Sequence, residues 1–332
     1  MKYALLDVDS HNFVNLALMK IARYYEGDVE WAQPMFGNYD TIFASKIFTF
    51  SPEPNWNAYN YRTLEKGGTG YDISKQLPPE IEGIRKRDYS IYPQCDYSIQ
   101  FYSRGCIRKC PFCLVNEKEG RIRPVEPMDL NPKGKWIEVL DNNFFANPEW
   151  KSAVEDLRRS GLPVKFHGVD IRIMTEEMAF ALNSLKLKNG VHIAWDLPQI
   201  DLRPQLREML KWIKPDKIVC YVLIGFNSTR EQDYERLRYL KELGVLPFVQ
   251  PYRDFENRRK PTIYEMDMAR WANRMWLFKS TDFMDFEPRK GVRGRDYFDK
   301  DYAQRMCPEK VKDIEKNDLF DNCQTVGEQT TD

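Results

Sequence analysis

Residues 104–113, RGCIRKCPFC, place Cys106, Cys110 and Cys113 in a C-x3-C-x2-C spacing, three of the seven cysteines in the chain. A thiolate is both a nucleophile and a metal ligand, so three on one short loop point to redox or metal chemistry. A structural zinc usually closes with four ligands in two paired knuckles. Here no second Cys or His pair lies near, and the three histidines, His11, His167 and His192, are isolated. A thioredoxin-type pair would use Cys110 and Cys113 and leave Cys106 without a role. Three thiolates fit a 4Fe–4S cluster with one iron left open to another ligand. A zinc loop of unusual spacing stays open as the alternative. Cys95, Cys220, Cys307 and Cys323 lack close spacing, and nothing in it calls for a second cluster; Cys220 sits in an apolar run and reads as packing.

The elements that must position this loop come in two series. KYALLDV (2–8) reads as a buried strand, followed by a helix that ends near Gly27. GDVEWAQP and YDTIFASKIF (39–48) read as further strands, and GGTGY (67–71) as a glycine turn able to bring backbone close to a ligand. This pattern predicts a small Rossmann-like domain over 1–75, and Pro78, Pro79 and Pro93 mark 76–96 as a linker. Strands are then expected at 97–103, 135–140, 163–168, 191–195, 217–225 and 245–252, alternating with helices. Asn147 with Pro148, Thr175, and Ser228 with Glu231 are expected to open three of those helices, and the Asn189-Gly190 pair to close one. The fold class is therefore α/β, a partial (β/α)6 TIM-like barrel over 97–255 preceded by the small Rossmann-like domain. In such a sheet ligands bind at the carboxyl ends of the strands, where Cys106, Asp141, Asp170, Asp196 and Gln250 fall. Residues 256–332 read as a helical extension that could cover the substrate, with MARWANRMWLF as a helix.

Lys and Arg number 50, against 50 Asp and Glu, which removes the global basic signature of a dedicated nucleic-acid binder while leaving local basic grooves open. Aromatic residues make up 14% of the chain, which argues for a packed globular protein and against disorder. No stretch approaches the ~18 consecutive apolar residues of a membrane span. The amino-terminal MKYALLDVDSH lacks a cleavage site, so a cytoplasmic location with reduced thiols is expected.

The C-x3-C-x2-C loop after the first strand of a six-fold β/α series resembles the radical S-adenosylmethionine (radical SAM) superfamily. SRGCIRKCPFC, EGRIRPVEP and LDNNFFANPEW look like its subgroup with a cobalamin-binding-type Rossmann domain before the barrel. The resemblance implies that Cys106, Cys110 and Cys113 hold a 4Fe–4S cluster whose open iron is chelated by SAM. It further implies reductive cleavage of SAM to a 5′-deoxyadenosyl radical, which takes hydrogen from a substrate that the sequence does not identify. Phe112 would lie against the adenine, Asp141 and Asn143 near the SAM amino group, Arg172 at its carboxylate, and Asp196 at the ribose or the substrate. A reducing partner such as flavodoxin or ferredoxin is implied as well.

Helix capping for Asp141 and Asn143, mutual pairing for Asp170 and Arg172, and a turn for Asp196 are the structural readings of the same residues. The chain departs from the subgroup where D-x-H-x-x-G would grip a cobalamin. Asp9-Ser10-His11 is followed by Asn12, Phe13 and Val14, so the glycine is missing and cobalamin use is in doubt. A cobalamin-dependent methyltransferase is the rival enzyme reading. A zinc-stabilised binding module, with basic stretches at 253–260 and 289–295 as a nucleic-acid surface, is the rival of another class.

Overall fold

The computed structural model describes residues 1–9, 14–254 and 257–299. It divides into two compact units, Met1–Gly168 and Val169–Asp332. His11, Cys307 and Cys323 lie outside the described residues.

In the first unit, Tyr3–Asp7 (β1), Leu16–Tyr24 (α1), Val29–Trp31 (β2), Asn38–Ser45 (β3) and Asn60–Gly67 (β4) build a four-stranded sheet with its helix, in the strand order β2-β1-β3-β4. All its pairings are parallel. Ala4, Leu5 and Leu6 are buried in succession, the uninterrupted apolar run expected of a strand covered on both faces. Asn15 caps α1, accepting from the Leu18 amide at 3.3 Å, and its Nδ2 donates to Ser45 Oγ at 2.8 Å, tying the helix start to the end of β3. β4 was not expected from the sequence. It is a mostly exposed edge strand, NYRTLEKG, in which Tyr61 and Leu64 pack on the Ala4–Ile42 cluster without a clear apolar alternation.

The 76–96 stretch belongs to this unit. Pro79–Glu82 forms the short α2, and Arg87 and Tyr92 are buried. Ser98–Gln100 (β5), Ile137–Val139 (β8) and Val164–Val169 (β9) pair in parallel. Between β5 and β8 lies the cysteine segment, flanked by the antiparallel pair Ser103–Arg104 (β6) and Arg123–Pro124 (β7), with Val115–Glu119 (α3) inside it. Trp150–Ser160 (α4) connects β8 to β9.

The second unit continues with Glu176–Asn183 (α5), Leu187–Ala194 (β10), Arg203–Leu210 (α6), Ile218–Ile224 (β11), Arg230–Glu242 (α7), Leu246–Pro251 (β12), Ile263–Ala272 (α8) and Met275–Ser280 (α9). β10, β11 and β12 pair in parallel. The larger sheet has six strands, in the order β12-β11-β10-β9-β8-β5.

Four boundaries differ from expectation, each for a local reason. α4 starts at Trp150 and not at Pro148, because the Asn147 side chain accepts from the Glu149 amide at 3.0 Å and donates to the Tyr102 carbonyl at 2.9 Å. The capping box of α7 uses Thr229 and Gln232, since Ser228 Oγ is turned to accept from the Gly225 amide. α5 closes at Asn183, and Asn189 and Gly190 lie within β10. The helix expected over 268–278 is broken between α8 and α9, where the Asn273 amide exchanges two hydrogen bonds with the Val249 backbone at 2.7 and 3.0 Å. Among the described residues no helix is long and apolar enough to cross a membrane.

Candidate functional site

The cysteine loop is fastened at its base. Cys106 N–H donates to the Gly120 carbonyl at 3.2 Å, which closes the two ends of the loop on each other. Glu119, the last residue of α3, accepts from Arg104 Nη2 at 2.7 Å, from the Gly105 amide at 2.9 Å and from Asn142 Nδ2 at 2.8 Å. One carboxylate therefore holds the loop's first residues, its last helix and the segment just after β8. Gly105 has φ +83°, and a Cβ there would overlap the carbonyl oxygens of Gly120 and Arg121, so only glycine lets the two ends approach this closely. Asn116 Nδ2 donates to the Arg108 carbonyl, and Cys113 N–H donates to the Cys110 carbonyl at 3.0 Å in a tight turn.

The loop thiols differ from the other described cysteines. Cys106 and Cys110 are partly exposed and Cys113 is exposed, whereas Cys95 and Cys220 are buried. Burial pushes both the Cys95 and the Cys220 thiol up, which keeps those two protonated and inert. The Arg108 amide donates to Cys106 Sγ at 3.3 Å. Among the described residues no set of three or more His, Cys, Asp or Glu side chains is already gathered to hold a metal ion. The donor set nevertheless has the chemistry for a thiolate-ligated group: three reduced, accessible thiols on one segment with its base pinned and its tip open. Metal sites of this type are commonly assembled by the metal itself.

The residues after β8 serve the loop's root. Asp141 is buried and accepts from the Tyr102 amide at 2.9 Å and from Ser103 Oγ, the two residues that lead into the cysteine segment. Burial pushes its carboxyl up to about 6 against the pull of those donors. Gly168, near the end of β9, lies so close to the Asp141 carbonyl that a Cβ would overlap it. Asn143 is fully buried and precedes the 3-10 turn Phe144–Ala146. Phe112 is half-buried between Cys110 and Cys113.

In the second unit, Arg172 grips Asp170 with a two-pronged ion pair, Nε to Oδ1 at 2.6 Å and Nη2 to Oδ2 at 3.0 Å. Asp196 follows β10, and burial pushes its carboxyl up despite the pull of Arg236 and Arg172. Arg236 is buried and donates to the carbonyls of Trp195 at 2.6 Å, Asp196 at 3.2 Å and Leu223 at 2.9 Å, and it pairs with Asp233 at 2.5 Å. It thus links the carboxyl ends of β10 and β11 and sets the backbone from which Asp196 projects. Neither Glu119 nor Arg236 was singled out from the sequence. Glu119 could have been found as the acid closing the EKEG turn after the cysteines. Arg236 carries no such signal, because it lies within a helix rich in exposed charges.

Models of known protein families and curated proteins were both searched with this sequence, and neither gives a match.

Proposed function

We propose that the chain is a radical SAM enzyme whose segment Cys106, Cys110 and Cys113 carries a 4Fe–4S cluster. The observation that carries this reading is the donor set. Three accessible thiols in C-x3-C-x2-C spacing sit on one loop that follows the first strand of a six-stranded sheet, while the other described cysteines are buried. In this reading that sheet is the partial barrel, the four-stranded sheet is a reduced Rossmann-type domain, and the protein is cytoplasmic.

When bound, the cluster and SAM supply reductive cleavage to methionine and a 5′-deoxyadenosyl radical, the reducing electron coming from a flavodoxin or ferredoxin. The chain's own contribution is position. Glu119 and Asp141 hold the root of the loop that carries the three thiols which would ligate the cluster. Phe112 offers a ring face to the adenine, and Asn143 an amide to the SAM amino group. Asp141 acts here through the loop it anchors, because its acceptors are engaged by Tyr102 and Ser103. In this reading Arg172, whose fork is shared with Asp170, is the residue assigned to the SAM carboxylate. Asp196, fixed by Arg236, accepts ribose hydroxyls or contacts the substrate.

Anaerobic reconstitution with iron and sulfide, followed by SAM and dithionite, tests the reading. The expected result is a broad absorption near ~400 nm and formation of 5′-deoxyadenosine. Cys110→Ala should abolish both. Retained cleavage in that variant, or stoichiometric zinc binding with no iron chromophore, would overturn the assignment.

A further inference from the structure

α3 is the short helix that follows the last loop cysteine, and three of its residues reach three different places. Asn116 Nδ2 donates to the Arg108 carbonyl inside the loop, and Glu119 holds Arg104, Gly105 and Asn142 at its root. Lys118 reaches out of the segment altogether: its Nζ donates to Thr69 Oγ1, 49 residues away in the chain. Thr69 is the middle residue of GGTGY (67–71), the turn that leaves β4 of the smaller sheet.

The turn holds that hydroxyl in place. Gly68 has φ +93°, and a Cβ there would overlap the Lys46 carbonyl oxygen; at Gly70 a Cβ would overlap the Phe48 carbonyl. The backbone is bonded on the same side, Lys46 N–H donating to the Gly67 carbonyl at 3.0 Å and Gly70 N–H to the Lys46 carbonyl at 2.9 Å. Tyr71 closes the turn, its hydroxyl donating to Glu53 at 3.1 Å. The stretch beneath is pinned as well. Asp9 accepts from the Ile47 and Phe48 amides at 2.5 and 3.1 Å and from Ser51 Oγ at 2.6 Å. The turn thus lies flat on a fixed strip of backbone, and the hydroxyl that Lys118 meets moves with the smaller sheet.

From this juxtaposition we infer that Thr69 is a positioning residue for the cysteine loop. By holding Lys118 it sets α3 against the smaller sheet, and with α3 the chain that runs back two residues from Val115 to Cys113. The smaller sheet then has a task that needs no ligand of its own. It fixes the far end of the thiol segment, as Asp141 fixes the near end through Tyr102 and Ser103. For what the thiols hold, this rests on the radical SAM reading; for where the loop sits, it rests on the geometry alone. A hydrogen bond at the surface is weak by itself, so its effect falls on local opening of the loop and not on global stability.

Alkylation by iodoacetamide, resolved by peptide mass spectrometry on the full-length chain without iron or SAM, reads loop opening directly. Lys118→Met keeps the stem and removes the ammonium; it should speed alkylation of Cys110 and Cys113 about threefold and leave Cys220 unreactive. Thr69→Val should do the same, and Thr69→Ser should restore the original rate. The double variant Thr69→Val with Lys118→Met should be no faster than either alone. Iron retained after reconstitution should fall in the variants that alkylate faster. Unchanged rates in both single variants, a serine variant as fast as the valine one, additive effects in the double variant, or iron retention that ignores this order would each overturn the inference. A valine variant that alkylates Cys220 has lost its fold, and the Lys118→Met arm then decides alone. An unaltered chain that takes up no iron, with the alkylation rates in the expected order, sinks the radical SAM reading and leaves the positioning inference standing.

Discussion

Glu119 and Asn142 are joined by a hydrogen bond of 2.8 Å that fastens the end of α3 to the segment after β8. The same carboxylate also holds Arg104 and the Gly105 amide, so three segments meet at one side chain that is largely shielded from water. Glu119→Ala strands these donors and should cost about 1–3 kcal/mol in urea unfolding. Iron retained per chain after reconstitution and gel filtration should fall severalfold. Glu119→Gln keeps an acceptor oxygen and should recover part of both. Full iron retention in the alanine variant would show that the loop does not depend on this anchor.

Two glycines of the loop make a matched pair. Gly105 and Gly120 both have positive φ, but a Cβ meets carbonyl oxygens at Gly105 and nothing within 4 Å at Gly120. Gly120 (φ +76°, ψ −153°) lies in a region open essentially to glycine alone, so Gly120→Ala should cost about 1–3 kcal/mol of backbone strain alone. Gly105→Ala adds backbone overlap and should cost roughly twice as much, with loss of cluster binding. Equal unfolding midpoints for the two variants would contradict the close approach described at Gly105.

The buried Arg236–Asp233 pair should behave asymmetrically. Arg236→Leu leaves the carbonyls of Trp195 and Leu223 without their donor and strands Asp233 as a buried acid, a loss of about 3–5 kcal/mol. Replacing both partners with apolar residues should recover a large part of that loss. A thermal melt of the two variants reads the difference directly, and a double variant no better than Arg236→Leu would count against the stranded-charge account.

Stability should peak in mild acid. Burial pushes Asp141 and Asp233 up to about 6, against ~3.9 for an unfolded aspartate. Between these values the folded chain holds more protons than the unfolded one, so this contribution falls as pH rises from ~4 to ~6, by up to ~3 kcal/mol per group. Glu138 acts in the opposite sense. Burial would raise it, yet the His167 hydrogen bond and the Lys165 charge bring it to about 2. Its stabilisation is complete above ~4.3 and is lost as pH falls through ~2. Urea midpoints should thus be higher at pH 5 than at pH 7.5, and Asp141→Asn should flatten that slope. A midpoint rising steadily to neutrality would refute it.

What the sequence disclosed follows physical lines. The six strands of the larger sheet were legible because apolar runs such as KIVCYVLIG, with one face buried and the other partly so, are bounded by turn residues. β4 was not, because an edge strand needs only one apolar face and NYRTLEKG spreads its few apolar residues thinly. The cysteine spacing is visible in one dimension, whereas the anchor at Glu119 is a fact of three segments meeting. The helix caps at Ser228 and Asn147 were misread for a shared reason: each polar side chain found a partner outside its own helix, the Gly225 amide in one case and the Tyr102 carbonyl in the other. Local spacing reports what a residue could bond, and the fold decides among those options.

The break between α8 and α9 bears on how this protein behaves in concentrated solution. β12 is the terminal strand of the larger sheet, and an uncovered terminal strand is a template on which another chain can add. The Asn273 side chain satisfies both the N–H and the C=O of Val249 midway along it. That single amide mimics a neighbouring strand's backbone, and so blocks self-association at the point where Phe248 exposes an aromatic ring beside it.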